Sequence, residues 1–180
     1  MSIAQLMLDQ KKPWLNGRMY SLGLDAPKTW LIRDSKSTGT NGGSFNSGGW
    51  IGRVLNTITA SGDSGDDVTL SSNVVTLSPG YYKWQSRAPG YHCDRHQTRL
   101  FDVTNNTAVA YGSCAYSPGG ASNSSQSDSI IQTFLSISVP TTYRLEHMCM
   151  STQANNGLGI ASNFAGNTEI YSTVYIKKYL

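Results

Sequence analysis

Short segments in which apolar and polar residues alternate recur through most of this sequence, and their spacing restricts the fold more than any other feature. They follow one another at the spacing of about 8–12 residues that is typical of β-sandwiches and barrels. The predicted strands cover residues 68–70, 74–77, 81–88, 98–103, 108–116, 130–139, 143–149, 159–162 and 169–178. Turn-forming sequences such as Ser78-Pro79-Gly80 and Asn155-Asn156-Gly157 separate them. Because these connections are too short for the crossover that parallel strands require, the sequence predicts an all-β, antiparallel fold.

Two further strands are predicted ahead of this region, at residues 29–32 and 51–59. The glycine-rich segment 35–49 between them has too few side chains to build an element and is predicted to be a loop or a loosely held edge. We therefore divide the chain into a β-rich body, residues 28–180, and an N-terminal arm, residues 1–27.

The arm is predicted to contact another protein. Residues 2–10 have the spacing of a short amphipathic helix with Ser2 as its N-cap, and Pro13 ends it. Residues 14–24 alternate apolar and polar side chains with glycines at intervals, which is typical of an extended arm. The apolar side chains of this arm would be exposed unless they lie on a partner. We predict that four of them anchor the chain: Trp14, Leu15, Met19 and Leu22.

Composition excludes several classes of protein. Charged residues make up only 14% of the chain, against roughly 25% in an average soluble protein. The 14 basic residues are scattered along the sequence, which argues against nucleic acid as a partner. No apolar run approaches the roughly 18 residues of a membrane-spanning helix, so no membrane is expected. No basic region precedes the apolar residues of the N-terminus, so we expect the protein to stay in the compartment where it is made.

Aromatic residues on two strands indicate that copies of the chain associate. In residues 170–179 the even positions give an apolar core face, whereas the odd positions carry three tyrosines. Residues 81–88 have aromatic side chains on both faces. Scattered tyrosines are common on β surfaces, but large amphipathic rings gather where a partner covers a surface. We therefore predict an oligomer with these interface residues: Tyr82, Trp84, Tyr171, Tyr175 and Tyr179.

The densest polar cluster, His92-Cys93-Asp94-Arg95-His96, lies between two predicted strands. His147 and Cys149 share one face of another strand, so they would supply a third and a fourth zinc ligand if those strands were neighbours. Histidines and cysteines on strands are more often buried and satisfied, and no ligand pair has finger-like spacing. We expect no metal and three reduced cysteines: Cys93, Cys114 and Cys149.

The sequence holds none of the motifs G-x-S-x-G, G-x-G-x-x-G, Walker A or H-E-x-x-H. The acidic group Asp63, Asp66 and Asp67 lacks the glutamate that closes a calcium loop and is predicted to be a solvated turn. A dyad of Cys93 or Cys149 with a histidine stays open, because such partners meet in space and not along the chain. In the absence of a complete motif we expect no catalytic residue, no cofactor and no enzymatic activity.

A series of short strings occurs in order over residues 28–180: TNGG at 40–43, RVLNT at 53–57, LSPGYY at 77–82, APGY at 88–91, HQTRLFDVT at 96–104, YRLEH at 143–147, GLGIASNF at 157–164 and EIYSTVYI at 169–176. On these strings the body resembles the small β domains in virion proteins of tailed bacteriophages, which are similar to the globular trimeric heads of complement and tumour-necrosis-factor-like proteins. The resemblance implies a jelly-roll sandwich of two antiparallel sheets, a homotrimer with the last strand at its subunit contacts, and no catalysis.

The resemblance also leads to two expectations about function. Tail fibres of this kind usually carry a long shaft, whereas only residues 1–27 precede the body here. We therefore expect a virion structural protein, made in the bacterial host cytoplasm, that decorates or cements a phage capsid through its arm, with the major capsid protein or another virion protein as partner. The alternative is the receptor-binding or carbohydrate-binding tip of a fibre, in which exposed rings such as Trp50, Tyr91 or Tyr116 stack on a host surface glycan.

Overall fold

The computed structural model describes residues 28–61, 65–119 and 124–179, together with the backbone of two short strands near the N-terminus. These strands, β1 (Trp14–Leu15) and β2 (Arg18–Met19), pair antiparallel with Trp14 opposite Met19. The expectation of a single extended arm is wrong for this segment, because the two strands pair with each other. The helix predicted at 2–10 and the arm residue Leu22 lie outside the described residues.

The regular elements of the described body are all strands, so the all-β prediction is confirmed. They are β3 (Lys28–Lys36), β4 (Ile51–Gly52), β5 (Thr57–Ser61), β6 (Val68–Ser71), β7 (Val74–Leu77), β8 (Gly80–Tyr91), β9 (Asp94–Asp102), β10 (Thr107–Tyr111), β11 (Ala115–Ser117), β12 (Gln126–Ile137), β13 (Thr141–Cys149) and β14 (Glu169–Tyr179).

Two antiparallel sheets form the body. The five-stranded sheet has the order β12-β8-β14-β3-β5. The seven-stranded sheet has the order β10-β9-β13-β7-β6, with β11 added to β9 and β4 added to β13. All of these pairs run antiparallel, as predicted. Neighbouring strands in each sheet are often far apart in sequence, which is the connectivity of a jelly-roll.

The core lies between the two sheets. Alternate residues of each strand point inward, and the buried side chains from both sheets form one cluster that includes Trp30, Trp84, Leu100, Leu145 and Ile176. Each large apolar side chain buried in this way contributes about 1.5–3 kcal/mol to stability. The predicted inward face of the last strand is confirmed at Val174 and Ile176, both fully buried.

Two predicted strands are each divided in the structure. The segment 51–59 forms β4 on the seven-stranded sheet and β5 on the five-stranded sheet. Between them the chain crosses the interior, where Leu55 is buried. The segment 108–116 is divided into β10 and β11 by residues 112–114. Gly112 lies close to β9 there, since a Cβ atom at this position would lie 2.2 Å from Thr98 Oγ1.

A third predicted strand, at residues 159–162, is not formed. Backbone N–H groups of this segment form hydrogen bonds with side chains instead. The N–H of Ile160 donates to Gln126 Oε1 and the N–H of Ala161 donates to Asn41 Oδ1. These backbone groups are therefore satisfied without a neighbouring strand.

Beyond Lys36, the last residue of β3, the glycine-rich segment 35–49 is a loop, as predicted, but it is not loosely held. Phe45 is fully buried and forms a β-bridge with Gln153. The loop is therefore fixed against the segment that follows β13. No helix among the described residues has the length and apolar character needed to cross a membrane.

Candidate interaction surfaces

The outward side of the five-stranded sheet carries a cluster of exposed rings. Tyr81 of β8 is 47% exposed and Phe134 of β12 is 55% exposed, and the two rings stack with centroids 5.7 Å apart. Tyr179 of β14 contacts both, at centroid distances of 5.7 and 6.3 Å. Ile130 and Tyr175 lie on the same side of the sheet by register. We call this group of five side chains the aromatic face.

The structure corrects the predicted interface at Tyr82 and Trp84. Both side chains are fully buried between the sheets, and the Tyr82 hydroxyl donates to the Ser78 carbonyl oxygen at 3.0 Å. The alternation of β8 correctly divides its residues between two faces of the sheet. The face of Tyr82 and Trp84 is the one that packs into the core. The outward face is that of Tyr81, which the sequence analysis did not select.

Tyr171 is also wrong as an interface residue. The pairing of β14 with β3 shifts between Ile170 and Thr173, and this irregularity interrupts the alternation on which the prediction rested. The Tyr171 side chain is only 2% exposed, and its hydroxyl donates to the Thr40 carbonyl oxygen at 2.7 Å. Burial, with Glu169 and Asp34 nearby, raises the pKa of Tyr171 to about 12.

Tyr175 and Tyr179, the other two predicted interface residues, lie on the outward side of β14 and are half-buried. Of the predicted anchor residues, Trp14, Leu15 and Met19 belong to the paired strands β1 and β2. Their role as a capsid anchor stays a prediction.

The outward side of the seven-stranded sheet carries arginines in contact with aromatic rings. The Arg99 guanidinium of β9 lies 4.4 Å from the Trp50 ring centroid and 4.7 Å from that of Phe101. Arg144 of β13 lies 5.7 Å from the Phe101 ring. The Glu146 carboxylate accepts from Arg99 Nε at 2.6 Å and from Arg144 Nε at 2.8 Å. These contacts fix both guanidinium groups in place.

An open groove of about 860 Å³ lies on this side of the sheet, toward the start of β9 and the end of β13. Its wall is mostly apolar and includes Tyr116, Met148 and Met150, with Arg95 and Gln97 among its polar members. Tyr116 is 59% exposed and Met150 is 61% exposed. We call this groove together with Trp50, Arg99, Phe101 and Arg144 the arginine face.

The three rings considered for glycan stacking lie in two different parts of the structure. Tyr116 lines the groove, and Trp50 packs on Arg99 of the same face. Tyr91 lies at the end of β8, where it meets His92 edge to face at 5.9 Å. Two of the three rings predicted from the sequence, Trp50 and Tyr116, therefore belong to the arginine face. The arginines were not predicted, although their alternation on β9 is visible in the sequence.

Histidines and cysteines of the two predicted groups meet in the interior, because β9 and β13 are neighbours and Cys149 is directly opposite His96. His96 Nδ1 lies 2.9 Å from His147 Nε2, and His96 Nε2 lies 2.9 Å from Ser127 Oγ. Burial, with a smaller effect of Arg53, lowers the pKa of His96 to about 4 and lowers that of His147 well below its ordinary value. Both rings are therefore neutral at neutral pH.

This interior group does not form a metal centre in the structure. Over the described ranges, no three His, Cys, Asp or Glu side chains are placed to hold a metal ion together. All three cysteines are free, with Cys93 and Cys149 buried and Cys114 exposed. The thiol of Cys149 beside it, together with burial, raises the pKa of Cys93, which makes that thiol a poor nucleophile.

Asp67, predicted to belong to a solvated turn, is instead part of an ion cluster. Its carboxylate accepts from Lys28 Nζ at 3.0 Å, Lys178 Nζ at 2.7 Å and Ser78 Oγ at 2.7 Å. Partial burial by itself would raise the pKa of Asp67, but these hydrogen bonds lower it far below its ordinary value. The cluster ties the first residue of β3 to the end of β14 and to the turn before β8.

Comparisons with known proteins agree with this architecture. The sequence matches no protein-family model and no curated protein. Among solved structures, the chain is similar to murine APRIL at pH 5.0, with a TM-score of 0.53, 6% identity and coverage of 85% of this chain and 99% of that one. It is also similar to the Eiger TNF from S. frugiperda, with a TM-score of 0.52, 8% identity and coverage of 86% and 94%.

The fold is a jelly-roll of the tumour-necrosis-factor type. The globular domain of a zebrafish complement 1qA protein matches with a TM-score of 0.48 and 14% identity, over 86% of this chain and 98% of that one. The jelly-roll fold expected from the sequence resemblance is confirmed.

Proposed function

We propose that this chain is a structural protein without catalytic activity that acts as a homotrimer, with its subunits in contact through the aromatic face. The observation that carries this proposal is the stack of Tyr81 on Phe134, both about half exposed on the outward side of a sheet. Exposed aromatic rings in contact with one another are typical of protein interfaces. Tyr175 and Tyr179, which the sequence analysis predicted as interface residues, belong to the same face. The jelly-roll type supports self-association.

We place this trimer on the surface of a bacteriophage particle, held there by residues 1–27. The support for this step is the resemblance of residues 28–180 to β domains of phage virion proteins, together with the apolar side chains of the arm. The low content of charged residues, 14% of the chain, suits an outward-facing knob rich in small polar side chains. The partner is the major capsid protein or another virion protein.

The test uses the full chain and isolated capsids of the parent phage. A variant with Trp14, Leu15, Met19 and Leu22 all changed to Ser is compared with the unchanged chain. We expect the unchanged chain to sediment with capsids and the variant to stay in the supernatant, while both have the same mass in solution and the same unfolding temperature. Sedimentation of the variant with capsids would contradict the anchoring role.

A second candidate function is recognition of a glycan on the host surface. The arginine face favours it, because rings and planar donors there lie beside an open groove. The two functions are compatible, since the aromatic face and the arginine face belong to different sheets. Glycan binding would then be a property of the trimer in place on the particle.

A further inference from the structure

We propose that the arginine face binds a carboxylated sugar chain, one whose units are uronic or sialic acids. This inference rests on the second candidate function and names its ligand class and its site. It does not depend on the trimer or on the arm. Fixed guanidinium groups, an excess of positive charge and an open groove lined by Tyr116 support it.

The guanidinium groups of the arginine face are oriented before any ligand arrives. Arg99 lies between the rings of Trp50 and Phe101, and Arg144 lies beside Phe101. Glu146 accepts from both arginines and its own side chain is only 2% exposed. Holding the donors in position reduces the entropy that a ligand would otherwise lose on binding.

Both arginines keep donors for a ligand. An arginine carries five N–H donors. Within the part of the chain that the structure describes, the Arg99 side chain donates to protein only through Nε, and Arg144 does so through Nε and Nη2. The remaining N–H groups form planar forks, which match a carboxylate with two parallel hydrogen bonds.

The charge of this face favours an anion. The outward positions of β9 and β13 hold three arginines, Arg95, Arg99 and Arg144, and a single carboxylate, Glu146. Glu146 is already paired with two of the arginines. The exposed Arg95 therefore adds to an excess of positive charge along the sheet, and this excess is available to a ligand with repeated negative charges.

The groove accommodates an extended ligand of this kind and provides apolar contacts for it. Arg95 lines the groove, and Arg99 follows four residues later on the same outward side, which is about 13 Å along an extended strand. Tyr116, opposite Arg95, and Met148, opposite Gln97, present apolar surface in the same groove. A chain of acidic pyranose rings fits this pattern, since the ring faces are apolar and the carboxylates recur at intervals.

A single-stranded nucleic acid would also use rings and basic side chains, but it is bound mainly through many phosphate contacts. No lysine occupies an outward position of β9 or β13, and the donors present are fixed forks that suit carboxylates. The sugar is therefore the better match, and nucleic acid becomes an outcome of the test.

The test is titration calorimetry of the full chain with four probes: an oligomer of galacturonic acid, the same oligomer with its carboxyl groups reduced, an oligomer of sialic acid and a single-stranded thymidine oligonucleotide. We expect at least one carboxylated oligomer to bind, with affinity at least about tenfold above that of the reduced oligomer. The tighter of the two carboxylated probes identifies the source of the carboxylate, uronic or sialic.

Two exposed variants locate the site. Arg95→Gln and Tyr116→Ala should each weaken binding of the carboxylated oligomer by about tenfold, whereas Lys28→Gln, which removes the same charge at the far end of β3, should leave it unchanged. Equal affinity for the reduced oligomer, tighter binding of the oligonucleotide, or full affinity in both site variants would overturn the proposal. Equal affinity for the reduced oligomer would leave glycan recognition standing, whereas failure to bind any oligomer would end both. The mass of the assembly reports separately on the trimer.

Discussion

His96 Nδ1 and His147 Nε2 lie 2.9 Å apart in the interior, so that one ring donates the proton of this hydrogen bond and the other accepts it. A second proton on the accepting ring would break the bond. His96 makes a further bond to Ser127 Oγ, whereas His147 Nδ1 is buried without a partner among the described residues. Burial of both rings therefore favours the uncharged form of this pair.

The pair predicts that stability falls on mild acidification. Burial lowers the pKa of His96 from 6.5 to about 4, so the unfolded chain binds more protons and the folded state loses stability as pH falls below about 6.5. Each such histidine contributes up to about 1.4 kcal/mol per pH unit. The free energy of unfolding in urea is measured between about pH 6.5 and pH 4.5. The lower limit of this range is the ordinary pKa of Glu169.

Asp67 and Glu169 titrate below this pH range in the folded state, whereas burial raises the pKa of Asp34, which therefore acts in the opposite direction to the histidines. The folded-state pKa of Asp67 lies below its ordinary 3.8, and hydrogen bonds from the backbone of Ser162, Gly39 and Asn163 lower the pKa of Glu169 to about 2. Their stabilisation is present above their ordinary pKa values and is lost at lower pH. A free energy of unfolding that does not change between about pH 6.5 and 4.5 would show that the pair is not buried as described.

The buried Arg53 predicts a large loss of stability on substitution. Its guanidinium donates to Ser172 Oγ at 2.7 Å, to the Leu158 carbonyl oxygen at 2.8 Å and to the Pro89 carbonyl oxygen at 3.2 Å. Burial lowers the pKa of Arg53 to about 10, so the group stays charged at neutral pH. Arg53→Met leaves three buried acceptors with fewer donors and should cost about 3 kcal/mol or more.

The matched control is Arg95→Met, at an exposed position, which should change the free energy of unfolding by less than about 0.5 kcal/mol. Urea unfolding of both variants makes the comparison. Equal stability of the Arg53 and Arg95 variants would mean that the three hydrogen bonds of Arg53 do not hold the fold together.

Gly112 predicts that a single added methyl group is harmful. A Cβ atom at this position would lie 2.2 Å from Thr98 Oγ1 and 2.7 Å from Ser129 Oγ. Gly112→Ala should therefore push this segment away from β9 and β12 and cost about 1–3 kcal/mol. Gly49→Ala, where nothing lies within 4 Å, serves as the control. Thermal unfolding that ranks Gly49→Ala below Gly112→Ala would contradict the described packing.

Alternation along single strands was enough to find the strands and to divide their faces. It gave Val174 and Ile176 as core residues of the last strand. It was wrong at Tyr171, where the pairing of β14 with β3 is irregular. Such an irregularity depends on the neighbouring strand and cannot be seen in the alternation of apolar and polar residues along one strand. It also could not decide which face of β8 is buried, since Tyr81 and Tyr82 are equally suited to a core.

The burial of charged side chains could not be predicted from the sequence. Arg53 bonds to Ser172, 119 residues away in sequence, and Glu146 is covered by Arg99, 47 residues away. Charged side chains are rarely buried unless they are paired, and the pairing here appears only when the strands are in place. The arginine face depends on the same long-range contacts, which is why composition alone pointed to no binding surface.

The aromatic face predicts that one substitution weakens the trimer. Phe134 is 55% exposed and stacks on Tyr81, so Phe134→Ser removes apolar contact from the proposed interface without touching the core. Phe164, 67% exposed in the segment before β14, gives the control Phe164→Ser. Sedimentation equilibrium should show the first variant dissociating at concentrations where the second stays assembled. Identical behaviour of the two variants would place the interface elsewhere.

The most direct test of the account is the mass of the full chain in solution, measured by light scattering at several concentrations. A trimer through the aromatic face predicts a mass of three times 19.5 kDa. A mass of 19.5 kDa at every concentration would contradict both the interface and the proposed function.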